Sequence, residues 1–378
     1  MSHRFDVVVV GAGIVGLGAA YAAVTRGQSV VVVDRGDEPS GASIRNFGHL
    51  CIGAQTGAAR EYADASRPLW IRLAADAGFW LRESGTLVAA RHDDELALLE
   101  AAGREGGIEM LDAADLERRS GVAPGSTIGG ATIAPDLQTD PRTASAAIRA
   151  HLASLGVEFR LRTAVTGVAT GRVDTTRGTI WAGTVVVAVN HDIDQLLPEL
   201  AEHAQVVRCG LDMLRVRADL TAPLRAPLLT GWSLVRYGRF AALPESAAVR
   251  ARLHRERPEL AAIDLNQMYT QLPDGSLIVG DTHWRGASIA PFQQEDAAEL
   301  LLAEFEAIFG VTPRPVERWQ GIYASGPEDF LVAEPVTDVL VLTATTGIGM
   351  TTGLGLAELN LAPRLGARPN PIREGIPA

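Results

Sequence analysis

The chain has 378 residues, 47% of them apolar, with 39 glycines and a formal net charge of −11. That length can hold more than one sizeable core, the composition excludes a fibre or a disordered chain, and the acidic balance argues against broad binding to nucleic acid or to an anionic membrane. All 34 basic residues are arginine, which rules out a Schiff-base lysine, a pyridoxal-phosphate anchor and a P-loop lysine.

Val7 to Val10 reads as a buried parallel strand and is followed by Gly11, Gly13 and Gly16 in G-x-G-x-x-G spacing. An alanine-rich helix comes next, and a second valine run, Val30 to Val33, ends at Asp34. Each part has a mechanical task in binding a dinucleotide. Gly11 permits the tight turn, Gly13 the approach of backbone to a pyrophosphate, and Gly16 the close packing of helix on strand. Phosphates then meet free N–H groups at the helix N-terminus, and the Asp34 carboxylate can accept from a ribose hydroxyl. The run from Val7 to Thr25 is uncharged over 19 residues, close to the length of a membrane span, but four valines before a Gly-x-Gly turn suit a strand. Nor does it suit a signal peptide, because His3 and Arg4 make a thin basic region and Asp6 intervenes.

An interruption from Ser84 to Leu137 carries a short strand, Thr86 to Ala90, and a charged helix, Asp93 to Gly103. A helix then opens at Asp140-Pro141 and closes at Gly156, two short strands follow, and Trp181 to Asn190 reads as a buried strand that restores a βαβ-type sheet. A second interruption, about 206–316, contains Asn266 to Gln271, a Pro273-Asp274-Gly275 turn and Leu277 to Asp281, a hairpin pattern, and then an amphipathic helix from Ala297 to Phe309. Val339 to Leu342, a glycine-rich loop and a final helix return the chain to the first sheet. The expected fold class is therefore α/β: a Rossmann-like dinucleotide-binding domain (1–84, 138–205 and 317–378) interleaved with an α+β substrate domain (85–137 and 206–316) built on a mainly antiparallel sheet. Cofactor and substrate should meet where the two join. Cys51 and Cys209 form no C-x-x-C, so no metal motif or disulfide framework is expected, and a reducing, cytoplasmic location is the default.

Between Arg208 and Glu259 ten arginines face five acids. Arg250, Arg252, Arg255 and Arg257 read as a solvated helix face. Arg208, Arg215 and Arg217 lie in an alternating, strand-like stretch that could line a pocket for an anionic substrate.

Five motifs in order, V-V-G-A-G-I-V-G-L-G-A-A-Y with Asp34-Arg35, G-A-S-I-R-N-F-G-H-L from Gly41, the Asp140-Pro141-Arg142 helix, W-Q-G-I-Y from Trp319 and T-G-I-G-M-T from Thr346, resemble the FAD-dependent D-amino-acid-oxidase superfamily. The resemblance runs from Asp6 to about Leu365 and is to the glycine- and sarcosine-oxidase-like members, and among these to the branch associated with aminophosphonate breakdown. It implies FAD as cofactor, held by Gly11, Gly13, Ile14, Val15, Gly16, Asp34 and Arg35, by Gly41, Ala42, Ser43, Arg45, Asn46 and Gly48 along the phosphates and flavin, and by Val165 near the adenine. Gly347, Ile348, Gly349, Met350 and Thr351 would hold the pyrimidine edge of the flavin. Arg45 and Asn46 are expected on phosphate or backbone rather than on substrate.

The chemistry implied is oxidation of a C–N bond, with hydride passing to the flavin N5 and the imine then hydrolysing. Tyr323, His49, His283 and Tyr269 are the candidate catalytic residues. Trp284 would be wall or core, and Cys51 a buried small residue rather than a covalent flavin anchor. Two departures shape the substrate expectation. Where relatives acting on α-amino acids carry G-L-R-P, this chain has Gly321-Ile322-Tyr323-Ala324, so the arginine that would fork onto a carboxylate is missing. Sarcosine-oxidase relatives activate oxygen with a lysine, which leaves a histidine or arginine in that role here, or an acceptor other than oxygen. The expected substrate is a small anionic amine, preferably an N-methylated aminoalkylphosphonate such as N-methyl-2-aminoethylphosphonate. The alternatives are a sarcosine- or glycine-type amino acid and, in another class, a flavin module of an RNA-modifying enzyme.

Overall fold

The computed structural model describes residues 4–365. His3 and the outermost parts of the expected dinucleotide-binding segments, 1–3 and 366–378, lie outside the described residues.

The two valine runs pair as the sequence pattern requires. Arg4–Val10 lies parallel to Val30–Val33, with Val7 opposite Val30 and Val10 opposite Val33. On its other side it runs parallel to Gly178–Val187, which in turn runs parallel to Val339–Thr346. Glu158–Arg160 adds a parallel strand beyond Val30–Val33. Val7, Val8, Val9, Val31, Val32 and Val33 are fully buried, because helices or loops cover both faces of a parallel sheet; each such side chain contributes about 2 kcal/mol of burial. The expected strand from Trp181 to Asn190 is shifted, running from Gly178 to Val187, and Trp181 itself is 41% exposed.

The strand Arg314–Val336, 23 residues long, belongs to both halves of the fold. Its first part pairs antiparallel with Val207–Arg217, and from Ser325 onward it pairs antiparallel with Val339–Thr346. The domain boundary expected at 316/317 thus falls inside one continuous strand. Beyond Val207–Arg217 lie the hairpin Met268–Gln271 and Leu277–Gly280, then Leu228–Leu229, Thr86–Ala90, Gly129–Ile133 and Ile108–Asp112. Every pairing in this part is antiparallel except Leu228 beside Leu87. The expected class, α/β with a large, mainly antiparallel second part, is the observed one.

Helix packing sets the position of the glycine-rich loop near residue 347. The helix Gly349–Leu361 is buried along most of its length between Ile14–Val24 and Gly57–Ala77. Trp70 donates its indole N–H to the Met350 carbonyl at 3.2 Å, and the Gly355 N–H donates to Ser66 Oγ at 2.7 Å. The Asp140-Pro141 start is capped as its residue types require: the Asp140 carboxylate accepts from the Arg142 N–H at 3.0 Å. No helix among the described residues is long and apolar enough to cross a membrane.

Candidate active site

A cavity of about 840 Å³ begins at the end of the first strand, passes the second, and ends against the antiparallel sheet. At its first end the G-x-G-x-x-G turn is built as expected. Gly11 has φ +103°, and a Cβ there would come within 2.5 Å of the Ala188 carbonyl oxygen. A Cβ on Gly13 would meet only Ser43 Oγ, at 3.2 Å, so this glycine leaves the backbone open toward the cavity. Ile14 and Val15 also line it, whereas Gly16 lies behind the wall, where a Cβ would stand 1.9 Å from the Gly11 carbonyl oxygen.

Asp34 and Arg35 line the same end. The carboxylate of Asp34 accepts from Ala12 N–H and Gly36 N–H, both at 2.7 Å, so it first fixes the glycine turn. Each oxygen keeps a lone pair for a ribose hydroxyl. Arg35 pairs with Asp192 at 2.6 Å, and Val165 completes this end.

Gly41, Ala42, Ser43, Arg45 and Asn46 form the middle of the wall. Ser43 Oγ accepts from the Ile14 N–H at 2.9 Å, tying this loop to the helix N-terminus. Arg45 donates to the Gln320 carbonyl at 2.9 Å, while the Asn46 amide donates to the Ala42 and Ser43 carbonyls and its oxygen accepts from Gly48 N–H. Both side chains therefore hold backbone. Gly48 stands behind the wall against the Thr139 carbonyl. Gly347, Ile348, Gly349, Met350 and Thr351 line the far end of the middle section, with Tyr323 beside them. A Cβ on Gly347 would come within 3.0 Å of Tyr323 Cζ, so the ring lies directly against this loop. Burial holds the Tyr323 phenol well above its ordinary pKa, and the ring acts as a neutral donor or acceptor.

This geometry fits a dinucleotide cofactor on three counts: a glycine-lined backbone at a helix N-terminus, open space over Gly41, and a buried Thr343 hydroxyl on the wall with no hydrogen-bond partner.

His49 lines the cavity and is anchored from behind. Its Nε2 lies 2.6 Å from Thr86 Oγ1, which in turn donates to Asp136 at 2.6 Å, and the Asp136 carboxylate also accepts from Gly53 N–H. Because Thr86 spends its proton on the carboxylate, Nε2 is the protonated nitrogen of His49. Its Nδ1 faces Met268 Sδ at 3.2 Å. Cys51 lies next to this cluster, and burial, then the Asp136 charge, push its thiol well above the ordinary value, so it stays protonated and inert.

The remaining wall comes from the hairpin and the segment before it, and here strand parity corrects the expectation. Tyr269 does not line the cavity. It is 1% exposed, packed edge-on against Phe305 and Phe309, and accepts from Gln267 on the core side of the sheet. Met268, one residue back, and Asn266, three residues back, have the opposite parity and face the cavity instead. The same alternation puts Asp281, His283 and Arg285 on the wall and sends Trp284 to Asp212 on the other side.

The arginines expected to line the pocket are likewise elsewhere. Arg208 pairs with Asp194, and Arg215 and Arg217 with Asp274, Arg215 also with Glu317. Arg252, expected in solvent, is held by Asp94 and Glu95 with its side chain only 13% exposed. The cavity takes Arg236, Arg285 and Arg250 instead. Arg236 and Arg285 both bind the Asp264 carboxylate, each at 2.5 Å. Burial alone would raise the Asp264 pKa, but the two guanidiniums outweigh it and hold the group below the usual carboxylate range. Two cations share one anion, which leaves this pole positive.

In sequence, the family described as FAD dependent oxidoreductase matches residues 6–360. No curated protein is significantly similar to the chain. Among solved structures, glycine oxidase from Geobacillus kaustophilus is similar at 21% identity with TM-score 0.76, over 96% of this chain and 95% of that one. L-proline dehydrogenase from P. horikoshii is similar at 17% identity and TM-score 0.75, over 96% and 93%. L-α-glycerophosphate oxidase from Mycoplasma pneumoniae, solved with FAD bound, is similar at 17% identity and TM-score 0.72, over 96% and 95%.

Proposed function

The chain belongs to the FAD-dependent oxidoreductase family, and from that premise we propose that it oxidises the C–N bond of a small anionic amine, with N-methyl-2-aminoethylphosphonate as the preferred substrate. Bound FAD supplies a two-electron acceptor for hydride from the carbon beside the substrate nitrogen. We assign the glycine turn, Asp34 and the Gly41–Asn46 segment to the nucleotide, and the loop Gly347–Thr351 with Tyr323 to the flavin side.

The observation that carries the reading is the positive pole at the far wall, where Arg236 and Arg285 share Asp264. A planar guanidinium with spare N–H donors binds a phosphonate or a carboxylate in a forked manner. By the resemblance, Tyr323 stands where an α-amino-acid enzyme would present an arginine, so the anion is assigned instead to Arg236 and Arg285, the latter on the far side of Cys209 in the same sheet. The RNA-modifying alternative draws no support, since much of the basic stretch 208–259 is taken up by internal ion pairs.

Product analysis tests the proposal. With N-methyl-2-aminoethylphosphonate the FAD-loaded enzyme should release an aldehyde and an amine in equal amounts, with one acceptor reduced per turnover. Turnover of N-methylglycine with none of the phosphonate would refute the phosphonate assignment and favour the amino-acid alternative.

A further inference from the structure

One corner of the cavity, beside the Arg236–Arg285 pole, holds more acceptors than donors, one of them buried with no partner. Asn266 is 7% exposed and lines the wall. Its amide nitrogen donates to Asp281 Oδ1 at 3.0 Å, and its Oδ1 is buried with no hydrogen-bond partner. Asp281 is 4% exposed and also lines the wall. His283 Nε2 stands 3.8 Å from the second Asp281 oxygen, too far for a hydrogen bond. His283 Nδ1 lies 2.9 Å from the Asp264 carbonyl, which can only accept, so Nδ1 carries the proton and Nε2 presents a lone pair. An unpartnered buried acceptor needs an explanation, and a ligand N–H provides one.

Resting on the reading of the substrate as an amine, we propose that Asn266, Asp281 and His283 form its nitrogen-binding site, where the Asp281 carboxylate takes one proton from the substrate ammonium. In that step one N–H bond breaks, one O–H bond forms on Asp281, and two opposite charges become two neutral groups. The amine lone pair thereby freed is what C–N oxidation requires. Hydrolysis of the iminium by one water already yields the amine product as its ammonium, so the proton on Asp281 is released to solvent at the end of the turnover.

The surroundings suit this role. Burial pushes Asp281 up to about 7 against the pull of Arg236 and Asn266, and burial and then Arg236 hold His283 well below its ordinary value, so it stays neutral. Tyr237, Tyr323 and Cys209 also face Asp281, and burial keeps all three protonated. Asp264 is neutralised by its two arginines, and Asp212 on the neighbouring strand is turned to Thr282, Trp284 and Gln293. A cation entering the corner therefore has Asp281 as its counter-charge.

The test uses FAD-loaded enzyme and two probe pairs that cannot be oxidised, because the carbon beside nitrogen bears no hydrogen. They are 2-aminoisobutyrate against pivalate and 2-amino-2-methylpropylphosphonate against 2,2-dimethylpropylphosphonate, so each pair exchanges ammonium for methyl. Binding is read from the shift of the flavin absorption band, and because the ammonium lowers the phosphonate's own second pKa, the pH course of that pair is compared between the unmodified enzyme and Asp281→Asn, where the ligand's titration is common to both. The amine member of at least one pair should bind roughly tenfold more tightly above about pH 7 than below it, and the methyl member should not. Asp281→Asn should abolish that rise and weaken the amine roughly tenfold to a hundredfold while leaving the methyl member unchanged, and Asp281→Glu should restore part of it. If amine and methyl members follow one pH course in the unmodified enzyme, or if Asp281→Asn binds the amine as tightly as the unmodified enzyme does, the proposal is wrong. Should the carboxylate pair behave as expected and the phosphonate pair fail to bind, the phosphonate reading falls and the nitrogen site stands.

Discussion

Gly16→Ala should yield a protein that retains no FAD and loses roughly 3 kcal/mol or more of stability. The added methyl would sit 1.9 Å from the Gly11 carbonyl oxygen and 3.3 Å from Val9 Cγ1. The obstacle is backbone in the turn that carries the fingerprint, so relief requires moving the helix Ile14–Val24 off its strand. Gly13→Ala is the informative contrast. Its methyl meets only the Ser43 hydroxyl, at 3.2 Å, and faces the cavity. That variant should fold with a near-normal unfolding midpoint and bind FAD more weakly. The ratio of flavin absorbance to protein after purification, together with thermal unfolding, distinguishes the two. A Gly16→Ala protein with stoichiometric FAD and an unchanged midpoint would contradict the assigned packing.

The second large effect is on the pH dependence of stability and follows from the burial of Asp281. Its pKa rises from an ordinary 3.8 to about 7 in the fold, which corresponds to roughly 4 kcal/mol of differential interaction between its protonation states. The folded protein holds this proton to about pH 7, whereas the unfolded chain releases it near 3.8. Between those values the folded state binds more protons, so stability falls as pH rises. The contribution is fully present below the lower value and gone above the upper one. Asp281→Asn removes the titration, so its stability relative to the unmodified enzyme should climb by roughly 4 kcal/mol from about pH 4 to about pH 8 in urea unfolding. Asp264 and Asp274 are shifted the other way, but both are present in each protein and drop out of the difference. A flat difference would mean that the carboxyl is not buried as described.

How far the sequence could be read depended on the range of the interaction that decides each feature. The first strand, glycine turn, helix and second strand were legible because they are local and each residue type has one mechanical role. The hairpin at Pro273-Asp274-Gly275 and the helix start at Asp140-Pro141 were legible for the same reason. Tyr269 was not, because a strand presents two faces and the residue type alone does not say which is buried. The spacing carried a usable signal all the same: Asp281, His283 and Arg285 alternate, so once His283 is placed on the wall, its two neighbours in phase follow. The arginines misled because their partners are distant in sequence. Arg215 is neutralised by Asp274 and Glu317, whereas Arg236 and Arg285 compete for the single carboxylate of Asp264. Asp136, which anchors His49 through Thr86, likewise has no local signature.

The central claim is that one cavity holds FAD and an amine whose anion is bound at the Arg236–Arg285 pole. Anaerobic bleaching of the flavin on rapid mixing tests it most directly, with N-methyl-2-aminoethylphosphonate, N-methylglycine and the uncharged-tail amine N-methylpropylamine compared at equal concentration. The account predicts fast bleaching by the phosphonate, slower bleaching by N-methylglycine and little by N-methylpropylamine, with the first rate lost in Arg236→Ala. Equal rates for the phosphonate and N-methylpropylamine, or no bleaching by any amine, would contradict it.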